Sequence, residues 1–322
     1  MLAKSQQDIS QLNNKLKIQR FGLERYSTDS EKLKFYVGFK HYGFLVTFFE
    51  WLVPAARQMA YPYIKKVTSI TIGAQRALPL IDEFFWVLCR LHSGLLVEDL
   101  ADRFNISPAT VSRIFLAWLN LLYIVLGSIN IWPSRAAIDK FMPSVMKEKF
   151  PSVRVIIDCT EIFTQKPSSL VGNSQLFSAY KNHTTFKGLI GISPHGSVTF
   201  VSSLFSGCIS DVEITKKSGI LKLLEPADSV MADKGFTIAK LLAEQNVGLV
   251  IPHLLSARGQ FDSTEVADND AITASRVHVE RAIRRVKESR ILQGIIPLTM
   301  LGSINQIWAV CCLLTNFRSK LF

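Results

Sequence analysis

The sequence predicts a mixed α+β and α/β chain, with an all-helical first half and a second half in which antiparallel strands precede parallel ones. Three observations predict it. Before Pro151 the apolar residues recur at helical spacing, whereas after it short β-branched runs alternate with turn residues. Pro194-His195-Gly196 separates two apolar runs, which marks a hairpin and therefore an antiparallel pair. Ser229–Asp233 and Gly248–Pro252 are short apolar runs flanking a helical stretch, Thr237–Glu244, and that succession pairs strands in parallel.

The 322 residues suit about two domains, and with 48% hydrophobic and 20% charged residues the chain can bury a large core. A net charge of +11 favours a polyanionic partner, with an anionic membrane surface as the competing explanation. Two uncharged runs, Ile114–Ser134 and Ile291–Phe317, are interrupted by polar residues, Gly or Pro, so they read as core helices and no membrane partner is expected. Five cysteines, odd in number and without CxxC spacing, read as buried reduced thiols of an intracellular protein lacking structural zinc. Met1 opens a polar stretch, so no secretion signal is expected.

Three segments are expected: an N-terminal helical region over 1–65, a helix-turn-helix domain over 66–150 and a catalytic domain over 151–322. Leu2, Ile9, Leu12, Leu16 and Leu23 lie near heptad spacing, suiting a short coiled coil or one amphipathic helix; a homo-oligomer is expected in the former case. Helices are predicted over Ile81–Leu91 and Leu95–Phe104. After the turn Asn105-Ile106-Ser107, the capping pair Ser107-Pro108 starts a third helix from Ala109 to about Leu122. That is a helix-turn-helix arrangement, whose last helix presents its first turns to the major groove of double-stranded DNA. Thr110, Ser112 and Arg113 are its candidate contacts, and a plain helical hairpin is the alternative.

In the second half, Val153–Asp158, Leu189–Ser193 and Ser197–Ser203 form an antiparallel set, and Ser210-Asp211-Val212-Glu213 is a capping box that opens a helix. A polar loop over 254–270 precedes a long helix, about Ile272 to Arg290, with Ile272, Val279, Ile283 and Val286 on one face. Three antiparallel strands, a helix and then a parallel strand-helix-strand is the order of an RNase H-like fold. Asp158 ends the first strand and Asp233 the fourth, and these strands are neighbours in such a fold. Glu280 stands in a helix otherwise rich in Arg and Lys. Singly, each acid has a plain reading: a strand cap, a turn residue before Gly235, an ion pair with Arg276 or Arg284. Together, three carboxylates repel unless divalent cations neutralise them, and such a set supports two-metal phosphoryl transfer with Mg²⁺ or Mn²⁺.

Asp158-Cys159-Thr160-Glu161, Tyr180-Lys181, Phe186-Lys187-Gly188-Leu189-Ile190-Gly191-Ile192, Ser210-Asp211, Met231-Ala232-Asp233-Lys234-Gly235-Phe236 and His278-Val279-Glu280-Arg281-Ala282 resemble, in that order, the DDE superfamily endonuclease domain. More narrowly they resemble PIF/Harbinger-type transposases and their domesticated nuclease relatives, over about residues 150–320, with Ile81–Leu122 resembling the helix-turn-helix that precedes the domain. The resemblance implies an RNase H-like fold, divalent-metal dependence, and Asp158, Asp233 and Glu280 as the catalytic and metal-holding triad. Asp211 matches a recurring acidic position and is a candidate auxiliary ligand. Lys181, Lys187, Arg281, Arg284 and Arg285 are expected to neutralise DNA phosphates. Some relatives begin with a THAP-type zinc finger, and Phe21-Gly22-Leu23-Glu24 resembles the segment next to that finger on its C-terminal side. No Cys/His pattern precedes that segment here, so a separate DNA-binding accessory protein is an expected partner. The expected function is that of a nuclear, metal-dependent DNA endonuclease and strand-transferase. The rival expectation is a domesticated, non-transposing DNA-binding or interaction protein that retains the nuclease fold.

Overall fold

The computed structural model describes Gln6 and residues 20–59, 78–253 and 262–318, so most of the expected N-terminal helix and residues 254–261 of the expected polar loop lie outside the described residues. The chain divides into two compact units. Residues 1–126, 289–291 and 317–319 form the first; the second comprises 127–288, 292–316 and 320–322.

In the first unit, α1 (Ser30–Val37), α2 (Tyr42–Arg57), α3 (Leu80–Ser93), α4 (Val97–Phe104) and α5 (Pro108–Gly127) follow one another. Helix α1 packs on α3, so residues 30–57 share a unit with the helix-turn-helix, whereas 127–150 fold with the second unit. Helix α3 buries Phe84, Phe85, Trp86 and Leu88. Helix α5 is apolar and long enough by composition to cross a membrane, and half of its most apolar stretch is buried. Val111, Trp118 and Leu122 all lie in the core, and the indole Nε1 of Trp118 donates to the buried Glu83 carboxylate at 2.8 Å. That is the behaviour of a core helix that also satisfies a buried acid.

Helix α1 ends at Gly38, whose φ of +80° suits glycine, and a Cβ there would lie 2.9 Å from both Arg318 Nε and His92 Nδ1. His92 is largely buried, and burial first, then Arg318 and Arg290, pushes its pKa from 6.5 down to about 3. The folded state therefore resists a proton that the unfolded chain accepts. Stability held above pH 6.5 is lost progressively as pH falls towards about 3. At pH 5 the loss is expected to reach up to about 2 kcal/mol. Melting curves at pH 7 and pH 5 should show this in wild type, and His92→Phe should remove most of the difference.

The second unit is built on a sheet in the order β2 (Phe177–Ser178), β3 (His183–Ile192), β1 (Val153–Phe163), β6 (Ser229–Met231), β7 (Gly248–Val250), with β4 (Val198–Val201) and β5 (Phe205–Ser206) also pairing with β3. Strands β1, β3 and β4 are antiparallel, while β6 joins β1 in parallel and β7 joins β6 in parallel. This is the RNase H-like arrangement, with β1 central. The hairpin between β3 and β4 turns at Gly196, φ +95°. Helices α6 (Arg135–Phe141) and α7 (Ser144–Lys149) precede the sheet, and α8 (Leu170–Leu176) lies between β1 and β2. Val155, Ile157, Leu189 and Val230 pack on one face with Ile214 of α9 (Asp211–Ser218) and Leu242 of α10 (Ala239–Ala243). Helix α11 (Ser263–Lys287) packs against β1 and β3, and α12 (Ile304–Leu314) against β4.

Three features differ from expectation. Strand β1 runs on past Asp158 to Phe163, because β3 pairs with it along that whole extension. Helix α11 starts at Ser263, not near Ile272, because Asp262 accepts from the Glu265 N–H at 2.8 Å while Glu265 reaches back to the Asp262 N–H at 3.0 Å. This capping box stood in the polar stretch that reads as loop. The cysteines are free, but Cys208 is exposed and Cys159 only partly buried, so the expectation that all five are buried is corrected.

Candidate active site

Strand register brings the first two acids together. Ile156 of β1 pairs in parallel with Met231 of β6, and Asp158 and Asp233 each follow two residues later. There β6 has ended and β1 is held by β3 alone, through Asp158 opposite Ile190. Side chains alternate across a strand, and Val155 and Ile157 enter the core cluster, so Asp158 belongs to the opposite face. The third acid comes from α11, whose buried stripe is Ile272, Ser275, Val279, Ala282 and Val286. Arg276, Glu280 and Lys287 form the adjoining row and line a cavity of about 550 Å³ with Asp158 and Asp233. Glu161, Tyr180, Lys181, Lys187 and Asp211 complete most of its wall.

Burial separates the three acids. Asp158 is the most enclosed; burial raises its carboxyl from 3.8 to about 6, opposed by the Cys159 N–H that donates to it at 2.8 Å and by Arg276, and reinforced by Glu280 and Asp233. Asp233 and Glu280 keep side-chain exposures of 49% and 58%. The Lys234 N–H donates to Asp233 at 2.8 Å, which fixes the carboxylate in the turn before Gly235. Arg276 is the cation among them. Its guanidinium lies 3.1 Å from Asp233 and 3.9 Å from Glu280, with only 13% of the side chain exposed. Among the described residues, no three Asp, Glu, His or Cys side chains converge as a ready-made metal cluster.

Asp211 opens α9 behind the capping Ser210, and its carboxylate takes the Lys187 ammonium at 2.7 Å. Lys187 also donates to the Ile209 carbonyl at 3.2 Å. The two charges thus answer one another in the cavity wall, and burial beside Asp211 pushes the Cys159 thiol up. Lys181 stays over the Tyr180 ring, 4.4 Å from its centroid. Arg281, Arg284 and Arg285 are outside the lining; the first two are exposed. Lys287, which sequence reasoning did not single out, lines the cavity instead. Burial and Lys181 lower its pKa, while Glu161 and Asp158 oppose that shift. Its signal was present in the sequence, seven residues beyond Glu280 and hence on the same helix face.

In the first unit, Ser107 Oγ accepts from the Thr110 N–H at 3.2 Å and shares a hydrogen bond with the Thr110 hydroxyl at 2.9 Å. Arg113 Nε donates to the Ala109 carbonyl at 3.2 Å, and Ser112 is exposed on the same first turns of α5.

Residues 157–316 match the DDE superfamily endonuclease family, and residues 76–128 match the helix-turn-helix of DDE superfamily endonuclease. By its domain architecture, the chain belongs to the DDE superfamily. No curated protein matches it. The endonuclease match spans β1 from Ile157 onward through α12 and contains every acid of the cavity. The helix-turn-helix match covers α3, α4 and α5. A nuclease- or transposase-type chain that works on DNA is what this pairing supports.

Proposed function

We propose that the chain is a divalent-metal-dependent DNA endonuclease and strand-transferase in which Asp158, Asp233 and Glu280 hold Mg²⁺ or Mn²⁺. The observation that carries this reading is one cavity lined by three oxygen-donor side chains, two of which, Asp233 and Glu280, hold a cation, the Arg276 guanidinium. Hard divalent ions take such carboxylate oxygens, so the donor set fits. Bound there, the metal would supply an activated water or 3′-hydroxyl and neutralise charge on the leaving oxygen. The remaining work falls to the chain. Asp158, fixed in β1 and hydrogen-bonded by the Cys159 N–H, provides the rigid ligand, and Asp233 and Glu280 approach from the turn and the helix. Lys181 and Lys287 face the same cavity and would seat the scissile phosphate. Arg281, Arg284 and Arg285 suit flanking phosphates, while Thr110, Ser112 and Arg113 suit a duplex groove. Auxiliary metal contact by Asp211 would require it to give up Lys187. The nucleus is the matching compartment for such a substrate.

The test is metal removal. Nicking of supercoiled plasmid is expected in Mg²⁺ or Mn²⁺, is expected to stop in EDTA, and should return when Mn²⁺ is restored. Nicking that persists in EDTA would refute metal dependence. DNA binding without nicking in either metal would favour the non-catalytic rival.

A further inference from the structure

Arg276 is placed oddly for a structural arginine. It is largely buried, with 13% of the side chain exposed, yet its Nε has no hydrogen-bond partner among the described residues. Its two ion-pair partners are more exposed than it is, at 49% and 58%. A surface pair of that kind would contribute little to stability. What the guanidinium does instead is bring one positive charge to a cavity lined by Asp158, Asp233 and Glu280. Three carboxylates in one cavity repel, and the repulsion is strong where Asp158 is shielded from water.

We propose that Arg276 is a resident counter-ion that holds Asp233 and Glu280 together in the metal-free protein and must withdraw from them for divalent cations to bind. It is a positioning residue, and this inference rests on the proposed metal site. The geometry sets the order of release. Glu280 is the looser partner at 3.9 Å and sits one helical turn from Arg276, so it can be surrendered first, while Asp233 is held at 3.1 Å. A competing internal cation lowers metal affinity, so the carboxylates retain metal less readily. Withdrawn, the guanidinium remains at the cavity wall with all its donors available for a phosphate oxygen.

The test uses the full chain without DNA and measures Mn²⁺ binding by calorimetry, with melting temperatures in EDTA and in Mn²⁺. Wild type is expected to bind Mn²⁺ and Asp158→Asn to lose that binding. Arg276→Gln and Arg276→Ala are expected to bind Mn²⁺ roughly tenfold more tightly than wild type, because the competitor is gone. Both should melt lower than wild type in EDTA and recover in Mn²⁺, whereas Arg276→Lys, which keeps the charge, should stay near wild type in both measurements. Equal or weaker Mn²⁺ binding by the Gln and Ala variants would overturn the counter-ion role while leaving the metal site standing. Should Arg276→Ala not fold, the Gln and Lys variants decide in the same way. If Asp158→Asn binds Mn²⁺ as wild type does, the metal site itself fails, and the counter-ion role fails with it.

Discussion

Asp158→Asn is expected to lower DNA cleavage at least about a thousandfold while leaving the protein folded and no less stable. The side chains have nearly the same shape, and the Asn carbonyl oxygen can still accept the Cys159 N–H that now donates at 2.8 Å. What disappears is the negative charge of the most enclosed of the three acids. Burial has already pushed that carboxyl to about 6 from 3.8, so near neutral pH the ionised group is held against its desolvation cost. The cost is up to about 3 kcal/mol, and a neutral amide removes most of it. Activity and stability should therefore move in opposite directions, the pattern of a site that carries strain for function. Plasmid nicking in Mg²⁺ and Mn²⁺, with a melting curve on the same preparation, checks both. Nicking at the wild-type rate would remove Asp158 from the triad. A clear fall in melting temperature would show that its carboxylate supports the fold.

The acids were legible in the sequence because strand chemistry is local. A β-branched run ending in Asp, then a second short run ending in Asp before Lys-Gly, gives neighbouring positions as soon as the strands pair in parallel, and Ile156 opposite Met231 provides that register. Less legible was anything that depends on which basic group meets which acidic one. Lys187 and Asp211 stand 24 residues apart in sequence and read as a phosphate contact and an auxiliary ligand, whereas in the fold they form one ion pair. Arg276 read as an ion-pair partner of Glu280, which it is at 3.9 Å, and only the tertiary arrangement of α11 over β1 adds Asp233 at 3.1 Å. The arginines after Glu280 read together as phosphate contacts. A helix divides such a block among its faces, and Lys287 rather than Arg284 faces the cavity. The missed start of α11 has a different cause. A capping box in a polar stretch carries no apolar period, so its signal lies in the single pair Asp262 and Glu265.

Gly188→Ala is expected to destabilise the second unit by about 2–3 kcal/mol, a large effect for one methyl group. Gly188 lies in β3 opposite Thr160 of β1, and nothing in its backbone conformation demands glycine. The demand comes from packing. A Cβ there would lie 2.6 Å from Trp308 Cζ2 and 2.9 Å from Cε2, with Leu204 Cδ2 at 3.2 Å. The indole cannot step aside, since it is fully buried and its Nε1 donates to the Ser202 carbonyl at 2.9 Å. Either the ring or β3 must shift. A shift of β3 would disturb Lys187, which anchors Asp211, and the paired stretch of β1 that carries Asp158. Cleavage should therefore fall together with stability, unlike the opposed changes in Asp158→Asn. Chemical denaturation of Gly188→Ala, Trp308→Leu and the double variant gives the decisive comparison. Trp308→Leu alone should cost about 3 kcal/mol through the cavity it leaves. In that background the added methyl has room, and its penalty should shrink by at least about 1 kcal/mol. Strict additivity would mean that the clash with Trp308 is not what keeps glycine in the middle of this strand.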